Sequence, residues 1–296
     1  MEKFSRIAVV DNLNNNILDY AKEEIRTLSE APVSFPEDVP KTEEEIIKRI
    51  EGADCILLSY QSVLTKRIMD RCPNLRYIGT ATTTLAHLPV EEIRRRGIAL
   101  TSVKNYAGEA TAEYIFMQLL MLLRGLHGHH WKMAQSELNG KTIGIIGVGD
   151  VGGNVALRAL GFNMRVLYFQ RSRNLDWEAK GLTYTPFMEL LQNSDIITIS
   201  VSTNTHILNM EEFDAIKEGA ILVNTTLGKV FDAEDFLRWI NKGKNYAIFD
   251  ADAETSEIKH AKNIIIGNQE AGRTLDAQDR LSTKFVNNIK TYLDSI

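Results

Sequence analysis

Residues 142–161 read TIGIIGVGDVGGNVALRALG, and the reading of this stretch decides the fold. An apolar run from Ile143 to Ile146 leads into Gly147, Gly149 and Gly152, and a helical pattern follows as far as Gly161. The glycines stand at G-x-G-x-x-G spacing. The first permits a tight turn after a buried strand, the second lets backbone approach a pyrophosphate, and the third lets helix and strand pack closely. The helix start at Asp150 and Val151 offers unpaired N–H groups and the positive end of a dipole to phosphates. Three glycines alone would be weak evidence. With the strand before them, the helix after them and a further strand, RVLYF (165–169), they point to a dinucleotide. The competing reading is a structural turn that has lost its ligand.

The residue after RVLYF bears on which dinucleotide is held. An acidic side chain there would grip the adenosine ribose hydroxyls and repel a 2′-phosphate. This chain has Gln170, which does not repel it, followed by Arg171, Ser172 and Arg173. The two arginines suit charge-assisted bonds to a 2′-phosphate, or else are solvated loop residues. The expected cofactor is NADP or NAD, with the balance towards NADP or towards weak discrimination between the two. Ser200, Val201, Ser202 and Thr205, at and beyond the end of SDIITIS (194–200), are expected to contact the nucleotide.

Working outward, strand-like and helix-like segments alternate along the whole chain. RIAVV (6–10), PVSF (32–35), DCILLS (54–59), LRYIGT (75–80) and IALTSV (98–103) read as strands. Helical patterns at 16–28, 42–52 and 64–72 lie between them. Such alternation implies parallel sheets with helices on both faces. A long helix over roughly 109–127 is apolar around most of its circumference and should be buried, between domains or between subunits. The alternation restarts after SELNGK (136–141). Asn209 with Glu212 three residues on has the form of a capping box, with Gly219 past that helix. Leu281, Phe285 and Ile289 share one face of a final helix. The expected architecture is α/β, two doubly wound parallel-sheet domains. A flavodoxin-like substrate domain spans 1–103 and 274–296, and a Rossmann NAD(P)-binding domain spans 104–273.

Composition sets the outer bounds. The 296 residues are 44% hydrophobic and 25% charged, an ordinary globular balance. A net charge of -5 argues against a general nucleic-acid or anionic-membrane binder. No run reaches the roughly 18 apolar residues of a membrane span, and MEKFSRIAVVD does not have the form of a signal peptide. Cys55 and Cys72 have no second pair to form a metal or disulfide framework. The expectation is a cytoplasmic protein.

The chain resembles the D-isomer-specific 2-hydroxyacid dehydrogenase family, closest to its glycerate and hydroxypyruvate reductase members. PNLRYIGTA (73–81), RRRGIAL (94–100), AEYIFMQLLMLLRG (112–125), LNGKTIGIIGVGDVGG (138–153), SDIITISVSTNTHIL (194–208), GAILVNTT (219–226) and AIFDAD (247–252) carry the likeness, over nearly the whole length. The resemblance implies hydride transfer between a nicotinamide and a small 2-hydroxy or 2-oxo compound, in a homodimer joined largely through the cofactor domain. It further implies cofactor contacts at Thr225, Thr226, Asp250 and Gly272, and substrate contacts at Thr82, Thr83 and Thr84. For Asp250 the alternative is a cap at a strand end.

The family's chemistry uses three side chains, and this chain departs at each. The arginine of an N-T-x-R-G loop, which holds the substrate carboxylate, is here Leu227 in Asn224-Thr225-Thr226-Leu227-Gly228. The proton-carrying histidine of T-P-H-x-A-G is Gln269, and the glutamate that pairs with it is Thr255, with Glu254 one place earlier. Leucine cannot make the paired bonds of a guanidinium, a loss of roughly 1.5–3 kcal/mol. Glutamine cannot exchange a proton near neutral pH, and general acid–base catalysis is worth about 10²–10⁴-fold. Together these changes slow the family's route by something on the order of 10³–10⁶. The substrate loop also differs, with Thr83-Thr84-Leu85-Ala86-His87 in place of a glycine-containing turn.

Substitute groups stand nearby. Glu254 or Glu270 would serve as an acid if buried with a raised pKa, although loop carboxylates are usually solvated. Lys229 is expected to extend into solvent, and His87 to pack or lie at the surface rather than face a cleft. His127, His129 and His130 tempt a metal reading, but no carboxylate or cysteine stands beside them at helical spacing, and no metal is expected. His260 is out of register with the family's histidine. Two classes of function follow: an oxidoreductase with a non-standard proton donor, or a catalytically silent dinucleotide-binding protein acting as a redox sensor or partner subunit.

Overall fold

The computed structural model describes residues 2–13, 16–128, 130–132, 134–203, 205–250, 256–267 and 271–296. The chain divides into two compact units, Met1–Tyr106 with Leu275–Ile296, and Ala107–Thr274.

In the first unit, β1 (Ile7–Val9) is followed by α1 (Asp19–Thr27), α2 (Glu43–Ile50), β2 (Cys55–Leu58), α3 (Lys66–Met69), β3 (Tyr77–Thr80), α4 (Val90–Arg95) and β4 (Ala99–Ser102). The strands form one parallel sheet in the order β1-β2-β3-β4. Short polar residues start the helices where the apolar pattern begins: Thr42 accepts from Glu45 N at the head of α2, and Thr65 from Ile68 N at the head of α3.

The second unit opens with α5 (Gly108–Leu123) and a 3-10 turn at Leu126–Gly128, then β5 (Thr142–Ile146), α6 (Asp150–Gly161), β6 (Arg165–Phe169), α7 (Leu175–Ala179) and β7 (Thr183–Tyr184). It continues through α8 (Phe187–Asn193), β8 (Ile196–Ile199), α9 (Met210–Ala215), β9 (Ile221–Asn224), α10 (Ala233–Ile240), β10 (Tyr246–Phe249) and β11 (Ile264–Ile266). Its seven strands run β11-β10-β9-β8-β5-β6-β7, all parallel. The order reverses at β5, so the Gly147 turn lies at the topological switch point, where open α/β sheets bind ligands. The capping box of Asn209 and Glu212 is formed, with Glu212 accepting from Asn209 N at 2.8 Å. The chain then returns to the first unit as α11 (Leu275–Asp294).

Alternation along the strands sorts each sheet into two cores. In the second unit Ile143, Ile145, Ile221, Val223 and Ile248 face α5 and α6, whereas Ile197, Ile199, Leu222 and Phe249 face α8, α9 and α10. In the first, Leu281, Phe285 and Ile289 of α11 join α1 on one face, and α2, α3 and α4 supply the other. Among the described residues no helix is long and apolar enough to cross a membrane.

Three expectations about elements are corrected. PVSF (32–35) forms no strand, although Val33 and Phe35 still pack into the core beside α1. Pro32 and Pro36 bracket it without N–H groups to donate to a ladder, and the guanidinium of Arg26 lies 5.1 Å from the Phe35 ring instead. The first sheet therefore has four strands. The helix expected over 64–72 shortens to Lys66–Met69, and the long helix ends at Leu123 rather than 127, closing before Gly125 at φ 69°.

Phe285 is fully buried and its ring lies against Gly79 of β3, where an added Cβ would stand 3.3 Å away. Phe285→Ala should destabilise the first unit by about 3–5 kcal/mol, read by denaturant unfolding followed by circular dichroism. A loss below ~1 kcal/mol would show that α11 is not integral to that core.

Candidate functional site

The glycine turn is built by close contacts that only glycine allows. Gly147 has φ 90°, and a Cβ there would come within 2.5 Å of the Ser200 carbonyl oxygen. A Cβ on Gly152 would collide with the Gly147 carbonyl oxygen. Around Gly149, by contrast, a Cβ would meet nothing within 4 Å. The open side of the turn therefore lies at the head of α6, whose first N–H groups have no partner within the helix. Ser200 Oγ is buried with no hydrogen-bond partner among the described residues, a polar atom left for a ligand to satisfy. Backbone donors, open space and an orphaned hydroxyl at a switch point fit a dinucleotide pyrophosphate.

Asp150, expected at the cofactor, has its side chain engaged within the unit. Its carboxylate turns away from the open side and accepts from Gly108 N at 3.0 Å, capping α5. That removes a negative side chain from a phosphate cradle. Gly147 N donates to Phe169 O at 2.8 Å, which fixes the end of β6 beside the turn. Beyond it Gln170 Nε2 donates to Ser172 O at 2.8 Å. Arg171 is exposed and makes no ion pair with any described residue. Arg173 is exposed, as a solvated loop residue would be, and forms paired bonds with Glu178. Val201 and Thr205 are half-buried and Ser202 is exposed.

At the end of β9, Asn224 is buried and its Oδ1 accepts from Thr226 N at 3.0 Å, while Thr226 Oγ1 donates to Ile199 O at 3.2 Å. Thr225 and Leu227 are half-buried, and Gly228 takes φ 77°. The loop is thus held by hydrogen bonds and offers an isobutyl group. Lys229 is exposed, as expected, with its Nζ 3.8 Å from Asp232 Oδ1. Asp250 is buried and accepts from Ala271 N at 2.6 Å, joining the ends of two loops. Gly272 packs against Ala107 and Thr111, where a Cβ would come within 3.0 Å of Ala107 Cβ. Glu254, Thr255, Gln269 and Glu270 lie outside the described residues, as does His129. His260 is exposed.

Tyr114 was not singled out by sequence. Its hydroxyl donates to Phe249 O at 3.1 Å and occupies the place where a side chain at Gly267 would start. Burial, then the Asp250 carboxylate, push its pKa up to about 12. Only the pairing of a tyrosine on α5 with a glycine where the family has a threonine could have signalled it. Glu178 was likewise missed, five residues beyond Arg173.

In the first unit the 82–84 loop is braced rather than open. Val103 N donates to Thr82 O at 3.0 Å, Thr83 Oγ1 donates to Val103 O at 2.9 Å, and Thr84 Oγ1 accepts from Ala86 N at 3.2 Å. His87 is a packing residue, 8% exposed, with Nε2 3.3 Å from Thr80 Oγ1. Burial pulls its pKa down to about 4, so its ring is uncharged at neutral pH. Among the described residues no group of His, Cys, Asp and Glu could hold a metal ion.

Residues 116–267, just over half of the chain, match the family described as D-isomer specific 2-hydroxyacid dehydrogenase, NAD binding domain. The chain belongs to the D-isomer specific 2-hydroxyacid dehydrogenase family, and its second unit carries that family's NAD-binding domain. A glyoxylate reductase from Pyrococcus furiosus is 27% identical over 279 residues, 85% of this chain and 82% of that protein. A D-specific alpha-keto acid dehydrogenase from Enterococcus faecium is 30% identical over 205 residues, 64% of this chain and 62% of that one. Among solved structures, an acyclic imino acid reductase in complex with NADPH and D-Arg superposes with TM-score 0.84 at 25% identity, covering 98% of this chain and 97% of that one. A D-lactate dehydrogenase from Aquifex aeolicus has the same fold, with TM-score 0.78 at 24% identity over 98% of this chain and 95% of that one.

The low pKa of His87 sets a sign for pH dependence. The unfolded chain takes up this proton near pH 6.5, the folded chain only near 4, so stability is full above 6.5 and falls as pH drops towards 4. A His87→Asn variant should lose less stability than the parent between pH 7 and 4.5 in denaturant titrations. Equal slopes for the two proteins would contradict the buried neutral histidine.

Proposed function

We propose that this protein binds NADPH or NADH at the Gly147–Gly152 turn and reduces ordinary 2-oxo acids very slowly or not at all. The observation that carries the reading is Leu227, half-buried on a loop held by Asn224 and Thr226. When bound, the nicotinamide supplies or accepts a hydride. The protein's part in such chemistry is to hold a carboxylate, polarise a carbonyl and move one proton. Leu227 cannot do the first, since an isobutyl group neither donates a hydrogen bond nor carries charge. Gln269 is able to orient a carbonyl by donating from its amide, but it cannot give up a proton near neutral pH. His87, neutral and buried in the first unit, is no replacement.

The glyoxylate reductases among the relatives suggest the panel on which to test this: glyoxylate, hydroxypyruvate and pyruvate. In the Leu227→Arg, Gln269→His double variant, 2-oxo acid reduction should rise by about 10²-fold, the low end of what acid–base catalysis contributes. Parent turnover at rates ordinary for dehydrogenases, about 1–10³ s⁻¹, would overturn the reading. A double variant no faster than the parent would place the defect in the braced 82–84 loop instead.

A homodimer formed through the second unit is part of the same proposal. Met117 and Leu120 on α5 and Leu157 on α6 are 48%, 36% and 49% exposed, and Phe162, stacked on Phe116, is 38% exposed. A second copy of the chain would cover this apolar face. Sedimentation should give a dimer for the parent and a monomer for Met117→Glu with Leu157→Glu. A monomeric parent at micromolar concentration would refute the assembly.

A further inference from the structure

Helix α7, which follows the loop after β6, seats an acidic group on one of that loop's two arginines. Glu178 of α7 receives the Arg173 guanidinium as a fork, Nε to Oε1 at 3.0 Å and Nη2 to Oε2. On its other side the buried Tyr168 hydroxyl donates to Oε1 at 2.9 Å, and the same hydroxyl accepts from Asn174 N at 2.8 Å. Asn174 in turn caps α7, its Oδ1 accepting from Asp176 N at 3.1 Å and Trp177 N at 3.3 Å. The carboxylate is therefore fixed by a buried strand residue and a capped helix. Its side chain is 20% exposed, against 61% for Arg173. The Arg173 guanidinium also lies 5.8 Å from the Tyr184 ring. The whole assembly sits beside the phosphate turn, because Gly147 N is bonded to Phe169 O at the end of the same strand.

We infer that Glu178 is a specificity-determining residue for the dinucleotide, holding Arg173 in the arrangement that a 2′-phosphate would otherwise claim. The inference rests on the dinucleotide reading above and deepens it. A guanidinium fork meets carboxylate and phosphate with the same paired geometry, so the two are competitors for one donor set. A phosphate approaching Arg173 must displace a fixed carboxylate and remain near its negative charge. Hydrogen bonding to Arg173 lowers the Glu178 pKa, so the competitor is ionised at neutral pH. Arg171 is left as the cation open to the 2′-phosphate. The protein accordingly accepts both cofactors with weak discrimination, despite carrying two arginines and no acidic residue at position 170.

The test is a titration of nicotinamide fluorescence with NADPH and with NADH, and of binding heat with 2′,5′-ADP and with ADP. It compares the parent, Glu178→Gln, and Glu178→Gln combined with Arg173→Ala. In Glu178→Gln, which keeps an acceptor for Tyr168 and removes the charge, NADPH and 2′,5′-ADP should bind about tenfold more tightly. NADH and ADP should change by less than about twofold, an energy too small for a charge-assisted contact. The gain should vanish when Arg173 is also removed, and should shrink as salt is raised. Equal changes for phosphorylated and unphosphorylated ligands, or a gain that persists without Arg173, would overturn the inference. If neither cofactor binds the parent or any variant, the dinucleotide reading itself fails and this inference falls with it. Thermal unfolding of each variant separates these results from a loss of fold.

Discussion

The carbonyl oxygen of Gly147 stands where a side chain at residue 152 would have to begin, and much of the second unit follows from that contact. It brings α6 against the end of β5 so that the helix opens towards the empty space at Gly149. The amide of Gly147 reaches the last carbonyl of β6, which places the Gln170–Asn174 loop beside the same space. The side chain of Asp150 is turned to the head of α5 and leaves the turn with donors and no negative group. One tight turn thus sets the phosphate cradle, the loop beside it and the helix by which the chain enters the unit.

Much of this was legible in the sequence, because it depends on local steric rules. Glycine spacing after an apolar run, strands alternating with helices, and the capping pair Asn209 and Glu212 all state their requirements within a few residues. What escaped depends on which distant or neighbouring group a side chain meets. PVSF has the composition of a strand, but its flanking prolines cannot join a ladder. The two-residue β7 is too short to show a period. Arg173 looked like a free cation because nothing in its own position announces that Glu178, fixed by Tyr168, will receive it. His87 reads equally well as a surface or packing residue until its burial beside Thr80 is seen.

The chemical positions present a sharper contrast. The Leu227 loop is braced, with Asn224 and Thr226 bonded and Gly228 in its left-handed conformation. At the position where the family resemblance implies an arginine, the loop carries Leu227, a side chain without charge or donors. At the β10 and β11 ends, Asp250 still gathers Ala271 N, and Tyr114 fills the room left by Gly267. In the function proposed above, binding features and reactive features part within one unit. The backbone geometry of the glycine turn favours a dinucleotide, and the proposed function takes Leu227 and Gln269 to disfavour rapid proton-coupled reduction of a 2-oxo acid.

The most direct measurement is nicotinamide fluorescence on mixing the protein with one equivalent of NADPH, and separately NADH, followed by glyoxylate. A cofactor held in the second unit should show altered emission at once. After glyoxylate is added, that emission should persist or decay some 10³–10⁶-fold more slowly than an ordinary dehydrogenase turnover. Emission identical to free cofactor, or its complete loss within seconds of adding glyoxylate, would contradict the separation of binding from catalysis.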